Sequence, residues 1–205
     1  MAKNKLNFSK YTISAFLKEL GSSAPYPGGG SGAGLAGSVG LALIEMVTRI
    51  NAKRDPKNSA ILKKQSQNKI STITSLRLKM ERLITLDAKA FMRVSKYFKT
   101  KKESAAYQHA LKVGAYVPLE ICEVSAQALQ IGILEKNRTS RWLASDLAEA
   151  GILLKASLDS ARLNVEVNLK NISDKNFCSK VTTRLNVLDK KTAKFKSELM
   201  GILSR

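Results

Sequence analysis

Histidine is nearly missing from this chain, with His109 the single one among 205 residues. Every motif that needs two histidines is therefore excluded, from HExxH zinc sites to Cys2His2 fingers. Cysteine is almost as scarce, and Cys122 and Cys178 can build neither a disulfide scaffold nor a thiolate zinc site. Only 4 residues are proline and 12 are glycine, which excludes collagen-like and proline-rich classes. Aromatics are 6% of the chain, too few to supply stacking platforms for single-stranded nucleic acid. Acidic residues are short as well, 16 against 35 Lys and Arg, so the net charge is +19. Long apolar runs are absent too. The longest uncharged stretch, Leu20 to Ile44, starts with Ser, Pro and Gly and leaves about 14 residues for an apolar helix. A membrane span needs ~20, so none is expected. Lys3, Lys5, Lys10 and Lys18 interrupt the N-terminal region and no apolar export core follows them. A cytoplasmic protein with reduced thiols is the expectation.

What the chain does contain is helical periodicity. With 44% apolar and 25% charged residues it reads as globular. No Asn-Gly or Asp-Gly turn and no clean alternation signals a strand. Helices are expected over Thr12–Leu20, Ser31–Ala52, Ser59–Tyr97, Glu103–Leu134, Ser140–Ile172 and Asp174 onward. Pro56 should end the second, and Pro118 should kink the fourth or mark a boundary in it. Helices of ~30 residues span ~45 Å. The fold class is all-α: an elongated antiparallel bundle of about six helices, one domain over residues 1–205.

Three places break this pattern. The third helix carries the stripe Ile70, Ile73, Leu76, Met80, Leu83, Phe91, Val94, Phe98, and the slot between Leu83 and Phe91 holds Asp87. An ionised carboxylate in a helix seam is costly unless it is paired or faces a wet cavity. Asp87 is therefore a functional group, half of a structural salt bridge to a neighbouring helix, or turned toward solvent on a slightly rotated stripe. The fifth helix carries Leu143, Leu147, Ala150, Leu154, Leu158, Ala161, Val165 and Ile172, and Asn168 stands where a core residue belongs, with Asn164 one turn earlier. Buried amides must be hydrogen-bonded, so these two hold a polar ring or tie helices together. Asp146 borders the apolar face of the same helix, near its start, where an acid is ordinary.

The third break is glycine. Eight of the eleven residues from Gly32 to Ala42 are Gly, Ala or Ser. Each glycine costs a helix ~1 kcal/mol relative to alanine, so such a helix needs close packing to compensate. Ahead of it, Gly28-Gly29-Gly30 permits positive φ and close approach of a ligand. The free N–H groups at Gly28, Gly29, Gly30 and Ser31 would face an anion or a carbonyl. No Walker lysine follows Gly30, and no strand precedes the loop, so nucleotide-binding loops are excluded.

Taken together these segments resemble one family. Pro27-Gly28-Gly29-Gly30-Ser31 and the small-residue helix after it are similar to the opening of the formiminotetrahydrofolate cyclodeaminase / methenyltetrahydrofolate cyclohydrolase family. Asp87-Ala88-Lys89-Ala90-Phe91 resembles its Asp-x-x-Ala-Phe segment. Ser145-Asp146-Leu147-Ala148 and Asn164-Val165-Glu166-Val167-Asn168-Leu169 resemble its later Ser-Asp and Asn-Val-x-x-Asn-Leu segments. The resemblance implies an all-helical homodimer that binds a tetrahydrofolate derivative, with Asp87 as catalytic group. Through the matching segments it places Gly28, Gly29, Gly30, Ser31, Asp146, Asn164 and Asn168 at the substrate. No metal and no cofactor beyond the tetrahydrofolate substrate are implied. Methenyltetrahydrofolate hydrolysis and formiminotetrahydrofolate cyclisation both stay open, and the absence of a second domain in the 205 residues favours hydrolysis.

Charge keeps a rival in play. Residues 53–102 carry 15 positive and 3 negative groups, net +12, while residues 103–169 are net −2. Arg82, Lys89, Arg93 and Lys96 recur at helical spacing on a face away from the apolar stripe. Such a surface could steer a polyglutamylated folate, bind nucleic acid through phosphates, or reflect a lysine-rich composition of 25 Lys to 10 Arg. The competing function is a non-catalytic basic helical protein that binds nucleic acid or other polyanions.

Overall fold

The computed structural model describes residues 6–54, 60–98 and 104–203. Among them there is no strand, and seven α-helices follow one another: α1 Ile13–Leu20, α2 Gly29–Arg54, α3 Ala60–Ser95, α4 Ala105–Glu135, α5 Ala144–Leu169, α6 Lys175–Thr192 and α7 Phe195–Met200. The six expected helices are all present, the last divided into α6 and α7. The expected break at Pro56 falls outside the described residues. Three starts are capped by side chains that accept an orphan N–H: Thr12 from Ala15, Ser104 from Tyr107 and Asp174 from Phe177.

Helix α2 is the centre of the bundle and packs against α3, α4 and α5. Its glycines make that position possible. A Cβ at Gly34 would stand 3.0 Å from Ile84 of α3. One at Gly37 would stand 2.6 Å from Met80 and 2.7 Å from Ser157, and one at Gly40 would stand 2.8 Å from Leu154 of α5. Among the described residues no glycine has positive φ. Of the two uses the sequence allows the triple glycine, positive φ is not taken up, and close approach is required only at Gly30, since a Cβ at Gly28 would meet nothing within 4 Å. Around this seam Leu41, Ile44, Ile73, Met80, Leu83, Leu119, Leu147, Leu154 and Leu158 are buried almost completely. The α5 stripe is buried at every expected apolar position.

Two expectations are corrected. Pro118 lies buried inside α4, which runs from Ala105 to Glu135, so of its two expected effects the boundary is the one that fails. Burial of that helix against α2, α3 and α5 outweighs the hydrogen bond the proline removes. Phe91 and Phe98 are not core residues. They are 38% and 61% exposed and meet edge to face, with ring centroids 6.1 Å apart. The α3 stripe leaves the core at Asp87 and continues along the rim of a cavity. By length and apolarity α2 and the stretch 105–138 could each cross a membrane, but about half of each apolar window is buried inside the bundle.

The seam makes a prediction. Gly40→Ala gains ~1 kcal/mol of helix propensity, but its methyl group meets Leu154 at 2.8 Å and the Ala150 carbonyl oxygen at 3.0 Å. Overpacking of this kind costs ~1–3 kcal/mol. Urea unfolding should show a net loss of stability, where an exposed helix glycine changed to alanine would show a gain.

Candidate active site

Asp87 projects from α3 toward the first turn of α2. The hydroxyl of fully buried Ser31 lies 3.1 Å from Asp87 Oδ2 and 2.9 Å from the Ile84 carbonyl oxygen. The Ser31 backbone N–H also donates to the carboxylate. The first intrahelical bond of α2 runs from the Gly32 N–H to the Gly28 carbonyl, so the N–H groups of residues 29–31 are the orphan donors of this terminus. Their partial positive charge faces the acid. A Cβ at Gly30 would sit 2.1 Å from Asp87 Oδ1, so only glycine lets helix and carboxylate approach this closely.

These groups lie at a cavity of about 280 Å³. Gly28, Gly29 and Gly30 form one side, and Asp87, Phe91 and Val94 of α3, with Phe98 in the turn after it, form another. Tyr107, Leu111 and Gly114 come from α4, Asn164, Val167 and Asn168 from α5, and Asn171 from the turn that follows α5. Pro25 and Tyr26 border it from the loop before α2. Among the described residues Asp87 is the only Asp, Glu, Lys or Arg in this lining. Burial pushes its carboxyl pKa above the ordinary aspartate value, and the two hydrogen bonds from Ser31 offset that only in part.

Other buried acids show what a structural carboxylate looks like in this protein. Glu45 is also buried, but Arg77, Arg49 and Thr74 bond it, and they outweigh the desolvation to leave its pKa at about 2. Glu135, completely buried, is held by Lys69 and by Asn51. Among the described residues no cation pairs with Asp87. Among the described residues the salt bridge thus finds no partner, and the carboxylate is half-buried rather than turned fully into solvent.

The structure brings together Gly28, Gly29, Gly30, Ser31, Asp87, Asn164 and Asn168. Ser31 stands behind the acid and does not line the cavity. Asp146 stands apart from them. It lies in the first turn of α5, eighteen residues before Asn164 (164 − 146 = 18), about 27 Å along the helix. It does not line the cavity, and its position suits an acid at a helix N-terminus. Missed by sequence reasoning were Tyr26, Tyr107, Gly114, Val167 and Asn171. Only Gly114 had a usable signal, a glycine inside a helix with nothing else to explain it. No group of three or more His, Cys, Asp or Glu suited to a metal occurs among the described residues. The Cys122 thiol is buried and pushed up to about 12 by desolvation, so it is not a nucleophile. Arg82, Arg93 and Lys96 are exposed, as expected for a solvated face.

The fold and the site define the class first: an all-α bundle with a carboxylate at the edge of a small polar-and-aromatic cavity. Comparison with known proteins names the family. The model of the family described as formiminotransferase-cyclodeaminase matches residues 12–187. A methenyltetrahydrofolate cyclohydrolase of Methylorubrum extorquens is 32% identical over 174 residues, covering 81% of this chain and 83% of that protein. The formimidoyltransferase-cyclodeaminase of Sus scrofa is 30% identical over 187 residues, 86% of this chain but 34% of the relative, so the chain spans about a third of that protein. The crystal structure of formiminotetrahydrofolate cyclodeaminase from Thermotoga maritima superposes with a TM-score of 0.87 at 26% identity, covering 95% of this chain and 96% of that one. The chain belongs to the formiminotransferase-cyclodeaminase family.

The raised pKa of Asp87 has a signed consequence for stability. Between the ordinary aspartate pKa and the higher folded value, the native state binds more protons than the unfolded chain, so stability falls as pH rises through that window. Asp87→Asn removes the cost. The variant should melt above the parent at neutral pH, and the gap should close once the pH drops below the ordinary aspartate range. Thermal melts across pH check both.

Proposed function

We propose that this protein is a folate one-carbon enzyme that hydrolyses 5,10-methenyltetrahydrofolate to 10-formyltetrahydrofolate, with Asp87 as general base. The observation that carries the reading is the unpaired, desolvated carboxylate of Asp87 beside the cavity. The 32% identity with a cyclohydrolase over 83% of that protein's length supports the hydrolytic direction. The likeness to a cyclodeaminase structure supports a second reading, cyclisation of 5-formiminotetrahydrofolate with loss of ammonia.

In hydrolysis, Asp87 accepts a proton from water as the water oxygen bonds to the carbon bridging N5 and N10. The tetrahedral carbon then breaks its bond to N5, which takes up a proton, and the formyl group stays on N10. One proton is released overall, because the substrate is a cation and the product is not. In cyclisation, N10 bonds to the formimino carbon and loses its proton to the same carboxylate. The amino group then leaves as ammonia after protonation. A general base works best with a pKa near the working pH, and burial moves Asp87 in that direction. Before it accepts a proton, its negative charge also attracts the cationic methenyl bridge.

The Ser31 hydroxyl and N–H hold the carboxylate in place. Phe91 and Phe98 at the cavity rim offer aromatic faces for the rest of the folate. The reading needs no cofactor beyond the tetrahydrofolate and takes a cytoplasmic homodimer as the working form. A polyanion-binding protein without catalysis would line its cavity with cations. Among the described residues neither Lys nor Arg lines this one, which favours the enzyme.

An absorbance assay with 5,10-methenyltetrahydrofolate and 5-formiminotetrahydrofolate, with ammonia measured alongside, tests the function. Turnover of the first compound without ammonia is expected, and ammonia release from the second would establish the cyclisation instead. Asp87→Asn should lower kcat about 10²–10⁴-fold while KM stays within a few-fold. In the parent, kcat should fall as pH drops through a pKa above the ordinary aspartate range. Near-parental kcat in the variant would remove Asp87 from the mechanism.

A further inference from the structure

The amide of Asn168 is fixed in one orientation. Its Nδ2 donates to the Asn164 carbonyl oxygen at 2.8 Å and to the Gly114 carbonyl oxygen at 3.3 Å. Turning the amide over would set its oxygen against two carbonyl oxygens, so the donors settle where Oδ1 lies. That oxygen accepts no hydrogen bond from any described residue, although Asn168 lines the cavity. Gly114 keeps the space beside it open. A Cβ there would stand 2.9 Å from Asn168 Oδ1 and 3.3 Å from Val94 Cγ2. Val94 borders the same gap, and it is seven residues beyond Asp87 on α3 (94 − 87 = 7), about 10 Å along the axis.

Two side chains that carry acceptors, Asp87 and Asn168, thus line one cavity, and the Val94 that shares the Gly114 gap with Asn168 stands about two helical turns from Asp87. That separation suits a fused bicyclic ring with one hydrogen bond or reacting atom at each end. If the folate lies with its N5–N10 bridge at Asp87, the ring donor farthest from N5 is the 2-amino group of the pterin. We propose that Asn168 Oδ1 is the specificity-determining acceptor for that amino group, and that Gly114 is glycine so that the oxygen stays accessible. This assignment rests on the folate reading above. It adds a residue that chooses the substrate, distinct from the acid that transforms it.

The test compares 5,10-methenyltetrahydrofolate with its 2-desamino-2-methyl analogue, which has a methyl group in place of the 2-amino donor. For the parent protein, kcat/KM should fall about tenfold or more with the analogue, because a buried acceptor is left without its donor. Asn168→Ala should raise KM for the natural compound by a similar factor, leave kcat within about threefold, and process both compounds alike. Gly114→Ala should lose the discrimination in the same way. A parent that does not distinguish the two compounds overturns the assignment without any variant. So does an Asn168→Ala protein with a parental melting curve that still discriminates. If the parent neither binds nor turns over the unmodified folate, the folate reading falls and takes this assignment with it.

Discussion

One close approach governs this structure: the N-terminus of α2 against the carboxylate of Asp87. Gly30 has no room for a methyl group beneath the acid. The Ser31 hydroxyl and N–H bind the carboxylate, and among the described residues no cation balances it. An unpaired buried charge is a standing cost to the folded state. The bundle meets that cost with the rest of α2, whose glycines let α3 and α5 close on it. Stability is thus concentrated along one seam and surrendered at one of its ends.

That division explains why buried acids in the same bundle behave differently. Glu45 and Glu135 sit farther along, each held by cations, and they tie α2 to α3 and α3 to α4. Their charges are matched and have no cavity to serve. Asp87 is left with hydrogen bonds that orient it and do not neutralise it, so its proton affinity rises. Orientation without neutralisation is what a proton acceptor at near-neutral pH requires.

Much of this was legible in the sequence, for definite reasons. Helix number and type follow from apolar spacing, and the stripe on α5 is buried throughout. Asp87 announced itself as a charge in an apolar register, and Asn168 as an amide in one. What periodicity could not say was whether Asp87 had a partner, because that depends on which side chains other helices bring near. The same limit hid Glu45 and Glu135, whose neighbours are distant in sequence. Phe91 and Phe98 keep the helical period but line a rim, since a stripe does not record where the core ends. Asp146 shares an apolar border with α5 and yet lies about 27 Å from Asn164 along the helix, because position along a helix decides which end of it a residue serves. Pro118 was read by its local cost alone, and tertiary burial overrode it.

The central claim is that Asp87 is a desolvated carboxylate with no cationic partner. Site-resolved carbon NMR of the aspartate carboxyl groups, titrated from acid to neutral pH in the ligand-free protein, tests it most directly. Asp87 should titrate above the ordinary aspartate value of 3.8, and higher than the exposed aspartates of the same chain. A midpoint at or below that value would mean that water or a cation already solvates the charge, and the account of the site would be contradicted.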